Sequence, residues 1–286
     1  MSEPKKHHYV PQSSQKLFWD ASRRQIAELD LSSGKSDWFN PKSRCYEMHL
    51  YRTDQAYQEL SKTHLENPLL SGIDERYPKA VNALKFGDAQ SVDRMVIATY
   101  VAFLRFRNPW ALDAVEDCTS DAVKRALYVQ IAARKIAVLP GLNLRVSSID
   151  AFLEDLDRIE ITGGKDGGLM GMLGLSLDFV AEMLEYKWRL FYSPAGGFIT
   201  SDKPVSSVAA ETDDGLLQYF LIPLSSHWML QAGQGADDEI AFCEAGNAEV
   251  EEGNLAVACC ADKRILGASE VQLKKLYDLR IAEMKT

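Results

Sequence analysis

The amino-acid sequence predicts an α+β fold: a central helical segment, with antiparallel strands from the N-terminal region and the C-terminal third. Two observations predict it. Across residues 53–187 apolar side chains recur mostly at helical spacing, whereas over 1–52 and 188–267 they fall into short alternating or aromatic-rich runs broken by Gly, Pro and Ser. Blocks segregated in this way suit α+β packing better than the regular alternation of a parallel-sheet protein. The 286 residues are read as a single domain. Its parts are a signature segment and hairpin over 1–52, helices over 53–187, mainly strands over 188–267 and a closing helix over 268–286. That length can bury a substantial core.

In order along the chain, "QIAELDL" alternates, "SSGK" offers turn chemistry and "SDWF" returns, which together make a hairpin over residues 24–39. "SVDRMVIATYVAFLRFRNP" sets Val92, Val96, Tyr100, Phe103 and Phe106 at helical spacing, and Pro109 ends or kinks that helix because it lacks a donor and crowds the preceding turn. "TSDAVKRALYVQIAARKIAVLP" predicts a further helix capped by Thr119 or Ser120 and stopped before Pro140, and "SSIDAFLEDLDRI" a shorter one. "TGGKDGGLMG" is expected to be a flexible break, followed by a helix to about Tyr186. The period then changes. "WRLFYS", "GFITSD", "LQYFLIPL" and "HWMLQAG" read as strands, "AEVEEGNLAVACCADKRI" as a helix, and "SEVQLKKLYDLRIAEM" as the closing helix.

Composition narrows the function. A net charge of -9 and a pI near 5.2 argue against a protein that coats nucleic acid or an anionic membrane, since phosphate contacts need a basic footprint. The five cysteines form no CxxC pair, so reduced thiols are expected rather than a disulfide framework or a zinc knuckle. The segment MSEPKKHHYV lacks the apolar core of a signal peptide, and the most apolar window, Leu169–Leu184, reads as too short to span a bilayer. A cytoplasmic protein without membrane contact is expected.

Chemistry-bearing residues concentrate in a few segments. "HHYVPQ" contains His7 and His8, two of five histidines, followed by Tyr9, Val10, Pro11 and Gln12. In a strand the two imidazoles face opposite sides, His8 with Val10 and His7 with Tyr9. "LRFRNPW" carries Arg107, "GFITSDKPV" carries Ser201 and Asp202 before Pro204, and "EEGNLAV" carries Asn254. Taken together these segments resemble a widespread microbial family of unknown function, recognised by an N-terminal H-H-Y-V-P-Q signature. The resemblance covers almost the whole chain. It matches Arg107 to an Arg-x-Pro segment, Ser201, Asp202 and Pro204 to a Ser-Asp-x-Pro motif, "FLIPLS" to a strand, and Asn254 to an asparagine at the start of a helix. An acidic helix residue of the family corresponds to Asp74 or Glu75. Ser13, Ser14 and Gln15 depart from the family's usual apolar triplet. Membership implies little about activity.

Two readings stand. In the first, His7, His8, Arg107 and Asp202 are catalytic residues of a metal-dependent phosphodiesterase or nuclease. His8 and Asp202 would hold a divalent metal ion, Arg107 would neutralise phosphate, and Gln12, Ser201 and Asn254 would contact a nucleic-acid or nucleotide substrate. In the second, the same residues form a structural polar network in a non-catalytic binding or regulatory protein. Three weaker motifs were weighed. His8, Asn40 and His49 follow the residue order of H-N-H nucleases, but the gap after His8 is long. "GGKDGG" is not a phosphate-binding loop, and without a G-x-S-x-G elbow Ser201 is a poor nucleophile.

Overall fold

The computed structural model describes residues 6–53, 64–115, 117, 164–212, 215–233 and 240–283. The helices expected from "TSDAVKRALYVQIAARKIAVLP" and "SSIDAFLEDLDRI" lie outside these residues.

The first strand, β1 (Lys6–His8), leads through Pro11 into the short helix α1 (Gln12–Gln15). The expected hairpin follows as β2 (Ile26–Asp30) and β3 (Ser36–Phe39), paired antiparallel. Asp30 fixes its turn by accepting from the hydroxyls and backbone N–H groups of Ser32 and Ser33, and these bonds, the Ser32 hydroxyl's first, hold its carboxyl down to about 2. Next comes β4 (Tyr46–Met48), which returns to pair with β1. Residues with positive φ, Cys45 (53°) and His49 (58°), turn the chain at both ends of β4.

The central helices are α2 (Ser71–Ala83), α3 (Arg94–Phe106) and α4 (Gly164–Glu185). At the start of α3 the Asp93 side chain accepts from the Val96 N–H at 3.0 Å, a cap made at the third helical position. A second helical stretch, 109–115, begins at Pro109.

Helix α4 corrects two expectations. The glycine-rich "GGKDGGLMG" lies almost wholly inside it rather than forming a break, so a helix reaches from Gly164 to Glu185. Interior glycines cost roughly 1 kcal/mol each, which burial of Leu169, Met172, Phe179 and Met183 can offset. The earlier start also lengthens the apolar run. Lys165–Glu185 spans 21 residues and holds an 18-residue window with a mean hydropathy of 1.3, enough to cross a membrane by length and composition. In the fold that helix packs on α3, with Phe179 and Met183 in the core beside Ile97 and Val101.

The C-terminal third supplies β5 (Lys187–Tyr192), β6 (Thr200–Ser201), β7 (Ser206–Thr212), β8 (Gly215–Pro223), β9 (Trp228–Gly233) and β10 (Ile240–Glu244). Helix α5 (Asn247–Cys260), strand β11 (Arg264–Gly267) and helix α6 (Glu270–Glu283) complete the described chain. Two larger sheets result, in the orders β10-β5-β9-β8-β7 and β3-β2-β11-β6. Their pairings are antiparallel except for β10 with β5, a parallel edge that the short runs did not foretell.

Strand alternation explains the layering. Ile222 and Leu230 point to the helical core with Tyr77, Tyr100 and Trp188, while their neighbours Leu221 and Met229 point to a second core with Val257, Ile265 and Leu273. Both faces of the five-stranded sheet are therefore covered.

Candidate functional site

The HHYVPQ segment is built as half strand, half turn. His7 is fully buried; its Nδ1 accepts the Tyr51 N–H at 2.8 Å and its ring stacks on that of Tyr51 with centroids 5.6 Å apart. His8 faces the other way and is half-buried. The alternation stops there. The Tyr9 and Val10 N–H groups both turn onto the Cys45 carbonyl, at 2.9 and 3.4 Å, so Val10 is buried and does not share a face with His8. The Gln12 Nε2 lies 3.4 Å from both ring nitrogens of His8, an equidistance that puts the amide across the ring rather than on one lone pair. Burial holds the His8 imidazole below its ordinary pKa against a hydrogen bond with the Lys42 backbone, and the charges of Lys6, Arg107 and His7 lower it further.

Arg107 joins three distant segments. It is fully buried at the end of α3, where Nη1 donates to Asp74 of α2 at 2.8 Å and Nε donates to the Tyr9 carbonyl at 3.1 Å. The Tyr51 hydroxyl donates to the Arg107 carbonyl at 2.7 Å, so Tyr51 touches both His7 and Arg107. Burial would lower the arginine's pKa, but Asp74, Tyr100 and Tyr51 outweigh it and raise the value. The partner is Asp74. Glu75 instead faces solvent and pairs with Lys79. Nη2 has no hydrogen-bond partner among the described residues. Beside this pair, burial and the Asp74 charge push the Glu66 carboxyl up to about 7, against the pull of Arg107.

Asp202 stands elsewhere. Its two oxygens accept the N–H groups of Asp262 and Lys263 at 3.0 and 2.8 Å, and its own N–H donates to the Arg264 carbonyl. Burial raises its pKa even so. It clamps the loop between α5 and β11 through these bonds. Ser201 is buried and its Oγ accepts the Lys203 N–H. Asn254 lies in the middle of α5 rather than at a helix start, because the helix begins at Asn247. Its amide accepts from the Ile199 N–H and donates to the Gly197 carbonyl, at 2.9 and 2.8 Å. Asn40, of the H-N-H pattern, caps its own turn through the Lys42 N–H. Among the described residues no three His, Cys, Asp or Glu side chains gather as a metal site.

The three segments do meet, along a cleft. Tyr9, Asn108, Pro109, Asp202 and Lys203 line a polar cavity of about 270 Å³. Asn108, Trp110 and Lys203 also line a larger cavity of about 780 Å³, whose other walls include Leu104, Phe106, Val115, Leu175 and Val205. The family model DUF4238, described as a protein of unknown function, matches residues 6–270. The chain belongs to that family. No curated protein and no solved structure matches it. The DUF4238 match starts at Lys6, one residue before HHYVPQ, and ends on the first residue of α6, so it takes in every residue of the polar joint and of the cleft.

Asp74 was legible only as one of two acids. Glu66, Tyr51 and Trp110 were missed: Glu66 and Tyr51 sit in segments without a motif, and Trp110 was read only as the end of "LRFRNPW".

Proposed function

We propose that this DUF4238 chain is a ligand-binding protein, in which the HHYVPQ, RNP and SDKP segments form the polar scaffold of a small-molecule cleft. The observation that carries this reading is the convergence of Tyr9, Asn108 and Asp202–Lys203 on a polar cavity that shares Asn108, Trp110 and Lys203 as walls with a larger one. Most hydrogen-bonding atoms of the flanking polar residues, meanwhile, are committed to the fold: His7 Nδ1 to Tyr51, Arg107 Nη1 and Nε to Asp74 and Tyr9, and both Asp202 oxygens to backbone donors. A cavity of about 780 Å³ falls in the range of small-molecule sites, roughly 300–1,000 Å³.

A ligand-observed NMR screen of small organic molecules against the wild type and Ala114→Phe tests the reading. Ala114 lines the larger cavity, and a phenyl group there would fill part of it. Hits that bind the wild type and lose binding in the variant support the cleft; a screen without hits, or hits indifferent to the variant, contradicts it.

A second reading, a hydrolase acting on phosphodiesters with or without a divalent ion, draws on one observation. Arg107, whose Nη2 has no hydrogen-bond partner among the described residues, acts through its charge on Glu66, a carboxyl able to exchange a proton near neutrality. Cleavage of nucleotides, DNA or RNA by purified wild type and its loss in Glu66→Gln would favour it; substrates left intact with Mn²⁺, Mg²⁺ or Zn²⁺ present would remove it.

A further inference from the structure

The two cavities differ in character. The larger has largely apolar walls from α3, the 109–115 stretch, α4 and the segment around the start of β7, with Arg105, Asp178 and Lys203 as its charged members. The smaller is polar and carries Glu47, Asp113, Asp202 and Asp262 against Lys203 and Lys263, two more acids than bases. Lys203 is already balanced, with Nζ 3.8 Å from Asp262 and 4.2 Å above the Trp110 ring. Trp110 stands between the two cavities and is 59 % exposed, uncommon for so large an apolar ring.

Resting on the binding reading, we propose that the cleft takes an amphipathic cation: an amine on an aromatic or branched apolar body. The body fills the larger cavity, where removing it from water contributes about 25 cal/mol per Å². The amine lies in the acid-lined end, within reach of Asp113 and Glu47, both exposed and without hydrogen-bond partners of their own among the described residues. The same lining disfavours a phosphate or carboxylate in that position. Arg105 does not reverse this: it lies over the rings of Phe106, Phe179 and Phe220 at the wall of the larger cavity, away from the acidic lining.

The test uses two probes with one skeleton, 4-phenylbutylamine and 4-phenylbutyrate, titrated at pH 7 and followed by saturation-transfer NMR and tryptophan emission. The amine is expected to bind about fivefold more tightly or better, the equivalent of roughly 1 kcal/mol of charge interaction near a protein surface. The preference should shrink in high salt and in Asp113→Asn, and Ala114→Phe should remove binding of both probes. Equal or tighter binding of the carboxylate overturns the cationic assignment while leaving a ligand cleft in place. So does a failure of both probes when other small molecules from the NMR screen still bind in an Ala114-dependent way. If no molecule binds at all, the ligand-binding reading falls with it.

Discussion

A guanidinium without solvent contact survives only where its charge is matched and most of its donors are used. Arg107 meets that condition through Asp74, whose side chain is 24 % exposed, and through the Tyr9 carbonyl. His7 follows the same logic, because without its Nδ1 the buried Tyr51 N–H would have no acceptor there. Glu66 is the exception, since its burial is only partly compensated. Its folded pKa of about 7 lies above the ordinary 4.5, so between those values the folded state binds more protons than the unfolded one. Stability from this group is then complete below about pH 4.5 and is lost as the pH rises through 7. We expect thermal unfolding from pH 4.5 to 8 to be flatter with pH in Glu66→Gln, and the variant to be more stable at pH 8 by about 1–2 kcal/mol after allowance for solvent screening. An identical pH profile in both proteins would place the carboxyl in ordinary solvent.

At the scale of elements, what was legible followed period and turn chemistry. The β2–β3 hairpin, α3, α6 and the strand runs of the C-terminal third form where apolar spacing placed them, whereas α5 stops at Cys260 and the "ADKRI" end of the expected helix becomes a loop and the start of β11. The failures have physical causes. Glycine signals a break in isolation, yet α4 runs through its glycines because a buried face pays for the lost propensity. The parallel β10–β5 edge is a tertiary pairing that local spacing does not encode. Gly174 offers a direct check, as a Cβ there would meet nothing within 4 Å. Gly174→Ala should raise stability by about 0.5–1 kcal/mol by restricting the unfolded chain and favouring the helix. No change, or a loss, in denaturant unfolding would argue that this stretch is not helical.

Over the whole molecule, the sequence pointed to the right segments but did not settle which partner each takes. HHYVPQ, RNP and SDKP do converge, although Arg107 reaches across to Asp74 rather than to Asp202, and Asp202 turns to the loop between α5 and β11. Contacts of this kind depend on which helix lies beside which, a relation that spacing along one chain does not carry. The cleft was not legible either, because its walls combine α3, α4 and the segment after β6. Trp110 at its centre had no pattern to mark it.

These polar groups are committed to holding the segments together. A double-mutant cycle measures that commitment: urea unfolding of the wild type, Arg107→Met, Asp74→Leu and the double variant. Each single change should cost on the order of 3–5 kcal/mol by leaving a buried charge unmatched, and the double variant should regain roughly 2–3 kcal/mol of their sum. Additive losses, or an Arg107→Met protein as stable as the wild type, would contradict the joint and with it the scaffold built on it.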